Sequence, residues 1–182
     1  FNDILLKRSI NNLKSLNYFK TVKYSIDDND LDQTKVINIQ IEEKPTGEIM
    51  AGAGFGTEGE VIEFGIKENN YLGKGLAVAS NLSLGSDKIT GNLNIKNPNY
   101  KNTDKSVNFG VQANEIDKLS NFGYKSKKIG TSLGTNFEYL EDFRLGLNAS
   151  TFLEDIETDS TASTRQKKQE GNYFDTYLKF DF

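Results

Sequence analysis

The stretch GLAVASNLSLG, residues 75–85, alternates between two kinds of side chain, residue by residue. Successive side chains of a β-strand point to opposite faces, so this order separates the two kinds. One face carries the mainly apolar set Leu76, Val78, Ser80, Leu82 and Leu84, and the other carries the small or polar set Ala77, Ala79, Asn81, Ser83 and Gly85. The pattern predicts a strand with one apolar and one polar face.

The same alternation extends to both sides of this stretch. It is clearest in residues 89–96 and 106–114, where isoleucine, leucine, valine and phenylalanine alternate with asparagine, glycine and serine. From residue 46 onward, strands are predicted over residues 48–56, 60–68, 75–85, 89–96, 106–114, 128–138, 144–152 and 173–182. The sequence therefore predicts a mainly β, antiparallel fold with about eight strands in this part of the chain.

Two kinds of antiparallel fold fit such strands, a soluble β-sandwich and a transmembrane β-barrel. Strands of about 9–11 residues match a tilted crossing of the bilayer, whereas typical globular strands have about 5 or 6. The connections tend to alternate in length, with brief turns near Asn70 and Glu141 and a long polar stretch over residues 154–172. Aromatic residues also gather at the predicted strand ends, at Tyr71, Tyr100, Tyr139 and Phe143. These features favour the barrel.

The first 45 residues follow a different pattern. Apolar residues recur at helical spacing over residues 3–16, and two strands follow over residues 19–26 and 35–43. Pro45 then interrupts the pattern, which sets predicted domains of residues 1–45 and 46–182. A helix and a hairpin are small for an independent core, so the first domain is predicted to be the tail of a larger one.

Composition excludes several classes of function. The chain has no cysteine and no histidine, which removes disulfides, thiol nucleophiles, histidine bases and the usual zinc ligands. Its net charge of −4 gives no basic surface for nucleic acid. Mean hydropathy is −0.58, and no run of about 18 apolar residues predicts a membrane helix. A barrel remains compatible, since its strands are apolar only at alternate positions.

Three local motifs are better explained without a ligand. Gly54, Gly56 and Gly59 have the spacing of a dinucleotide-binding turn, but the residues after them keep a period of two instead of forming the required helix. The acidic triplet Asp28, Asp30 and Asp32 imitates a calcium loop, yet Gln33 replaces the required glycine and Ile39 the required glutamate. The basic group Arg165, Lys167 and Lys168 falls in a polar loop and is interpreted as a solvated tip, with contact to lipopolysaccharide as the alternative.

Five short segments, taken in order, resemble the family of outer-membrane assembly factors typified by BamA. In that family a last polypeptide-transport-associated (POTRA) repeat leads directly into a transmembrane barrel. The segments are LNYFKTV (residues 16–22) and EEKPTG (42–47) at the end of the repeat, and GAGFGTE (52–58), NYLGKG (70–75) and NPNY (97–100) in the barrel. The resemblance implies the α-β-β end of a POTRA domain followed by the N-terminal half of the barrel. We therefore expect the chain to be part of a longer protein.

The resemblance also implies a function without enzyme chemistry, cofactor or metal: insertion of β-barrel proteins into the bacterial outer membrane. The expected partners are unfolded outer-membrane proteins, lipoproteins of the assembly complex, periplasmic chaperones and the lipid bilayer. The N-terminal part is expected in the periplasm. The candidate lateral-gate strand comprises Glu48, Ile49, Met50, Ala51, Gly52, Ala53, Gly54, Phe55 and Gly56. The candidate POTRA edge comprises Lys35, Val36, Ile37, Asn38, Ile39, Gln40 and Ile41.

Several alternatives remain at this point. The nearest is a sister of the same superfamily, either an autotransporter-assembly factor or a two-partner secretion transporter, since these share the architecture. A passive porin is a second alternative, and the helix and hairpin that precede the barrel argue against it. The third is the soluble binding sandwich.

Overall fold

Residues 1–29, 34–56, 59–140 and 143–182 are described by the structure, a computed structural model of the chain. The chain divides into two compact units, Phe1–Thr46 and Gly47–Phe182. Some positions discussed above lie outside the described residues, namely Asp30, Asp32 and Gln33 of the rejected calcium loop, Thr57 and Glu58 after the candidate gate strand, and the turn at Glu141.

The first unit contains one helix and a two-stranded sheet: α1 (Asp3–Ser15), β1 (Phe19–Asn29) and β2 (Thr34–Glu43). The helix begins where the Asn2 side chain accepts hydrogen bonds from the backbone N–H groups of Ile4 and Leu5, at 3.0 and 3.2 Å. Its buried residues are Leu6 and Ile10, which are four positions apart and so share one face. The helix predicted over residues 3–16 therefore forms, and it is amphipathic.

Strands β1 and β2 pair antiparallel and align their apolar residues on one face. Val22 lies opposite Ile41, and Ile26 lies opposite Ile37. The isoleucines of β2 nevertheless remain 39–47% exposed. This small sheet therefore keeps a partly uncovered apolar face.

The second unit is one eight-stranded antiparallel sheet. Its strands are β3 (Gly47–Gly56), β4 (Gly59–Tyr71), β5 (Leu76–Gly85), β6 (Lys88–Asn97), β7 (Ser106–Lys118), β8 (Tyr124–Leu140), β9 (Phe143–Thr158) and β10 (Gly171–Asp181). Each strand pairs with its neighbours in sequence, in the order β10-β9-β8-β7-β6-β5-β4-β3. The mainly antiparallel β prediction is confirmed. Within the described ranges β3 and β10 do not pair with each other, so the sheet has two edges.

The pairing registers sort the side chains of this sheet into two faces. One apolar row crosses all eight strands through Ala51, Phe64, Leu82, Gly91, Ala113, Ile129, Leu153 and Phe174. The adjacent row on the opposite face runs through Met50, Gly65, Asn81, Asn92, Gln112, Gly130, Phe152 and Asp175. We call the face of the first row the outer wall and the face of the second row the inner wall.

The apolar outer wall is uncovered. Ile129, Leu133 and Phe180 on it are 53%, 58% and 66% exposed. In the part of the chain that the structure describes, the buried apolar residues are confined to Leu6, Ile10 and Ala162. The sheet therefore has an apolar surface and no apolar core, which is the reverse of a soluble sandwich. No helix within the described residues has the length and apolar character to cross a membrane.

Strands β7, β8 and β9 are longer than predicted, with 13, 17 and 16 residues. Their extra residues lie at the far end of the sheet, which we define as the end that holds Gly56 and Gly85. There the outer wall becomes charged, and Lys125 forms ion pairs with Glu115 at 2.6 Å and Asp117 at 2.7 Å. The apolar alternation stops where these charges begin, so the sequence pattern underestimated the strands.

The connections differ from the expected alternation of short and long. Strand β9 continues to Thr158, so only residues 159–170 connect it to β10, and α3 (Thr164–Lys167) forms within them. At the same far end, Ser86 and Asp87 alone connect β5 to β6, while residues 98–105 form a longer connection at the near end, where β3 begins. The predicted alternation of short and long connections therefore does not extend to the connections after β5 and β6.

Two far-end connections are tied together. The turn after β7 consists of α2 (Leu119–Phe122) and Gly123, whose φ of 71° is readily adopted by glycine. Gly123 accepts a hydrogen bond from the Asp159 backbone N–H at 2.9 Å. A Cβ at Gly123 would collide with the Ala162 backbone nitrogen, so glycine is required there for both reasons. The connection 159–170 is thus anchored on its neighbour.

Aromatic residues mark both ends of the sheet. The predicted Tyr71, Tyr100, Tyr139 and Phe143 all lie at the near end, at the ends of strands or in the turn Tyr100–Asn102. At the far end the corresponding positions hold Phe122, Tyr124 and Tyr173. By the pairing registers Tyr124 and Tyr173 lie on the inner wall, so the aromatic belt beside the apolar outer wall, as in transmembrane barrels, is clear at the near end.

Candidate functional site

Strand β3 lies at one edge of the large sheet, and it contains every residue of the candidate gate strand. It pairs with β4 from Gly47 opposite Glu68 to Gly56 opposite Gly59. All of its residues are exposed. On its other side no strand pairs with it among the described residues. Its main-chain N–H and C=O groups on that side are therefore available to another strand.

The glycines of β3 differ from those in the interior of the sheet. A Cβ added at Gly52, Gly54 or Gly56 would meet no atom within 4 Å. In contrast, a Cβ at Gly110 would lie 2.6 Å from the Ser132 hydroxyl, and a Cβ at Gly130 would overlap the Phe152 ring. Gly110 and Gly130 are thus required by packing, whereas Gly52, Gly54 and Gly56 are not. They leave this strand with little side-chain attachment.

Side-chain contacts join β8, β9 and β10 much more firmly. On the inner wall Lys128 forms an ion pair with Glu154 at 2.9 Å, and Glu154 also accepts a hydrogen bond from Ser126 at 3.0 Å. The ring of Phe152 lies edge-on to Tyr177, with centroids 5.7 Å apart. Within the described residues β3 makes no side-chain hydrogen bond or ion pair. It is thus held mainly by its main-chain pairing with β4.

This contrast predicts that substitution by valine has different effects on the free energy of unfolding at Gly130 and at Gly54. Gly130→Val should lower the free energy of unfolding by about 1–3 kcal/mol, because the new side chain displaces the Phe152 ring. Gly54→Val should be neutral or stabilising by up to about 1 kcal/mol, because its site is open and valine favours strands. Urea titration of both variants would measure the difference. Equal destabilisation by the two would contradict the distinction between covered and open glycines.

The second candidate edge, residues 35–41, lies in β2 of the first unit. Strand β2 pairs only with β1 among the residues that the structure describes. The alternate residues Ile37, Ile39 and Ile41 present a half-exposed apolar row. An extended peptide added to this edge would gain main-chain hydrogen bonds and apolar contacts. A binding role for this edge stays a prediction.

The structure places the remaining motifs as follows. Gly54 and Gly56 end β3 and Gly59 begins β4, so a strand stands where a dinucleotide site needs a helix. Arg165 and Lys167 lie in α3, and Lys167 donates a hydrogen bond to the Ser160 carbonyl at 2.8 Å. Across the described ranges no group of three acidic residues is arranged to hold a metal ion.

The inner-wall cluster of Lys128, Glu154 and Phe152 could not be predicted from the sequence pattern. Alternation within the predicted strands places Lys128 and Phe152 on the inner wall, whereas Glu154 was predicted to lie in the long polar stretch after the strand. Their contacts, however, depend on the register, which sets Lys128 opposite Glu154 and Gly130 opposite Phe152. That register was not available from the pattern of a single strand.

Comparison with known proteins identifies relatives of this sheet. The sequence profile of the Omp85 superfamily domain matches residues 70–182. The crystal structure of BamA from Haemophilus ducreyi lacking POTRA domains 1–3 is similar to this chain, with a TM-score of 0.73 and 23% sequence identity. The similarity covers 97% of this chain and 36% of that chain. At this level of identity the structural match concerns the fold.

Proposed function

Since this chain belongs to the Omp85 superfamily, we propose that it forms the first part of an outer-membrane barrel that inserts other β-barrel proteins into the bacterial outer membrane. The observation that carries the proposal is the position of β3, a glycine-rich strand at an open sheet edge. In this proposal the outer wall faces lipid and the inner wall faces the barrel lumen. The process involves no covalent chemistry and no cofactor.

The physical basis is the cost of an unpaired backbone in hydrocarbon. In the bilayer core, each N–H or C=O group without a hydrogen bond costs about 2 kcal/mol or more of free energy. A barrel strand that enters the membrane alone would carry a full row of such groups. The edge of β3 offers a matching row, so the entering strand can pair as it inserts. The open glycines and sparse side-chain contacts of β3 let this edge separate from a closing strand at low cost.

The first unit has a supporting role in this proposal. Its order α1-β1-β2 corresponds to the end of a POTRA domain, which would lie in the periplasm. There the edge of β2 would receive extended segments of unfolded outer-membrane proteins, delivered by periplasmic chaperones, or a lipoprotein of the assembly complex. The half-exposed isoleucines of β2 support this role, because alternate apolar side chains give such an edge its selectivity.

Photo-crosslinking from matched positions tests the proposed edge. A benzoylphenylalanine at Ala51 on β3 should capture barrel proteins during their insertion in cells, because the entering strand lies directly beside it. The control is the same group at Ala113 on β7, which is also an exposed alanine in the same outer-wall row. Adducts from Ala51 alone are expected. Equal capture from both positions, or adducts with a soluble passenger protein instead of barrel proteins, would contradict insertion at β3.

A further inference from the structure

Met50 is the single methionine of the chain, and it lies on β3, at the edge of the large sheet. Its side chain is on the inner wall, directly opposite Gly65 of β4. A Cβ added at Gly65 would be 2.9 Å from Met50 Cε and 3.6 Å from Met50 Cβ. The Met50 side chain therefore extends across the glycine and fills the space that a side chain on β4 would take.

A second side chain reaches the same place from the opposite direction. Asn81 of β5 is directly opposite Gly65 on its other side, and its Oδ1 would lie 2.6 Å from the added Cβ. Gly65 is the single buried residue of β4, because these two side chains cover it. Met50 and Asn81 thus connect β3 with β5 across the glycine, by van der Waals contact.

This contact is the inner-wall attachment that the rest of β3 lacks, since its inner-wall positions toward the far end are glycines. The same inner-wall row contains a second covered glycine, Gly130 beneath the Phe152 ring. There the covering group is a phenyl ring, whereas on β3 it is a thioether, which peroxides oxidise to a sulfoxide. The contact at the edge strand is therefore the chemically reactive one of the two.

The Met50 thioether is also accessible. The residue is 49% exposed, and the oxidation of methionine increases with exposure. We propose that Met50 is an oxidation site and that formation of its sulfoxide frees β3 from the contact over Gly65. This inference goes beyond the proposed function and takes from it only that the inner wall meets water.

The oxidant is a peroxide. A lone pair of the Met50 sulfur attacks one oxygen of hydrogen peroxide, so an S–O bond forms while the O–O bond breaks. The sulfur loses two electrons, and the other peroxide oxygen leaves as water. The product carries a strong hydrogen-bond acceptor. The main-chain groups of Gly65 are already paired with the neighbouring strands, whereas water in the lumen offers free donors. The oxidised side chain should therefore turn into the lumen and leave the glycine.

Hydrogen exchange tests this change directly on the full-length protein in nanodiscs, before and after treatment with hydrogen peroxide. The peptide that contains Met50 should gain one oxygen in the mass spectrum. The β3 amides that pair with β4 around Met50 should then exchange about four-fold faster, as the loss of roughly one buried methylene group provides. Methionine sulfoxide reductase should restore the slower exchange.

Two control variants isolate Met50 from other methionines of the full-length protein. Met50→Leu keeps an apolar side chain over Gly65 and removes the sulfur, so peroxide should leave the exchange of β3 at the rate of the untreated variant. Adding Phe152→Met to Met50→Leu places a thioether in the same row but away from β3, and peroxide should again leave β3 unchanged.

Three results would overturn the oxidation site. The first is the absence of sulfoxide at Met50 under conditions that oxidise other exposed methionines. The second is an equal acceleration of exchange in Met50→Leu. The third is slower exchange after oxidation, which would mean that the Asn81 amide donates to the sulfoxide and fastens β3 instead of freeing it.

Failure of this inference is distinguishable from failure of the proposed function. A freed β3 is a less ordered edge, so oxidation should also slow the insertion of other barrels, and Met50→Leu should lose this sensitivity. Faster exchange with unchanged insertion would contradict the role of β3 in insertion and support the oxidation site. Unchanged exchange in a protein that inserts barrels normally would overturn the oxidation site alone.

Discussion

A disulfide between β3 and the strand that closes the barrel should abolish insertion of other barrel proteins, and reduction should restore it. The edge of β3 accepts an entering strand only while its N–H and C=O groups are unpaired, and a locked seam leaves them occupied. The chain has no cysteine of its own, so engineered thiols have no competitor within it. The measurement is the level of other outer-membrane barrels in cells that contain only the locked protein.

A second cysteine pair provides the control. Gly54→Cys with Val61→Cys joins residues that are opposite each other on β3 and β4, so it fixes the hairpin and leaves the outer edge of β3 free. This variant should insert other barrels normally. Gly54→Val should give a partial defect, because it stiffens the strand and improves its packing. Normal barrel levels with a complete cross-link at the seam would exclude templating by this edge and favour passive transport.

A lysine at Val78 should destabilise the protein in lipid by up to about 4 kcal/mol, the cost of a charge on the lipid-facing side of a barrel strand. Val78 lies on the outer wall in the row of Ile95, Phe109 and Leu133, and Glu68 of β4 lies opposite it on its other side. Lysine at Ala79, the next residue on the inner wall, should cost much less. Denaturant titration of the two variants in phospholipid vesicles would measure the difference.

The matched pair Val78→Lys and Ala79→Lys also fixes which wall meets lipid. Both substitutions introduce the same charge on the same strand, so differences in β-propensity cancel, and the remaining cross-strand difference is that residue 78 lies opposite Glu68 and residue 79 opposite Lys67. A larger cost at Ala79 would reverse the assignment of the two walls. Cysteine labelling from the membrane phase gives an independent reading, since it should reach Val78 and spare Ala79.

Strand positions in the large sheet were predictable because a strand with one apolar and one polar face has apolar residues at alternate positions. Residues 75–85 show this most clearly, and the observed β5 differs from the predicted strand by one residue at its start. The prediction failed where charge replaced apolar character. Lys125 and Lys127 belong to β8 and face the same side as Ile129, but they interrupt the apolar pattern. Cross-strand ion pairs stabilise these extensions, and such pairs cannot be deduced from the sequence of one strand alone.

The candidate edge was predictable in position but not in its physical character. The candidate gate strand, residues 48–56, does lie in β3. The distinction between Gly54, which has open space, and Gly130, which is covered by Phe152, needs the register of neighbouring strands. Likewise, the pairing of Gly91 with Ala113 across β6 and β7 cannot be deduced from the pattern of either strand alone.

The two classes of glycine have a consequence for evolution. At Gly130 and Gly134 any side chain would collide with a neighbour, so selection for folding alone is sufficient to preserve glycine there. At Gly52 and Gly54 no neighbour forbids a larger residue, and random substitution should have removed glycine unless activity required it. A glycine that is invariant at position 130 among relatives would therefore say little about mechanism. A glycine that is invariant at position 52 or 54 would instead indicate selection for the activity of β3.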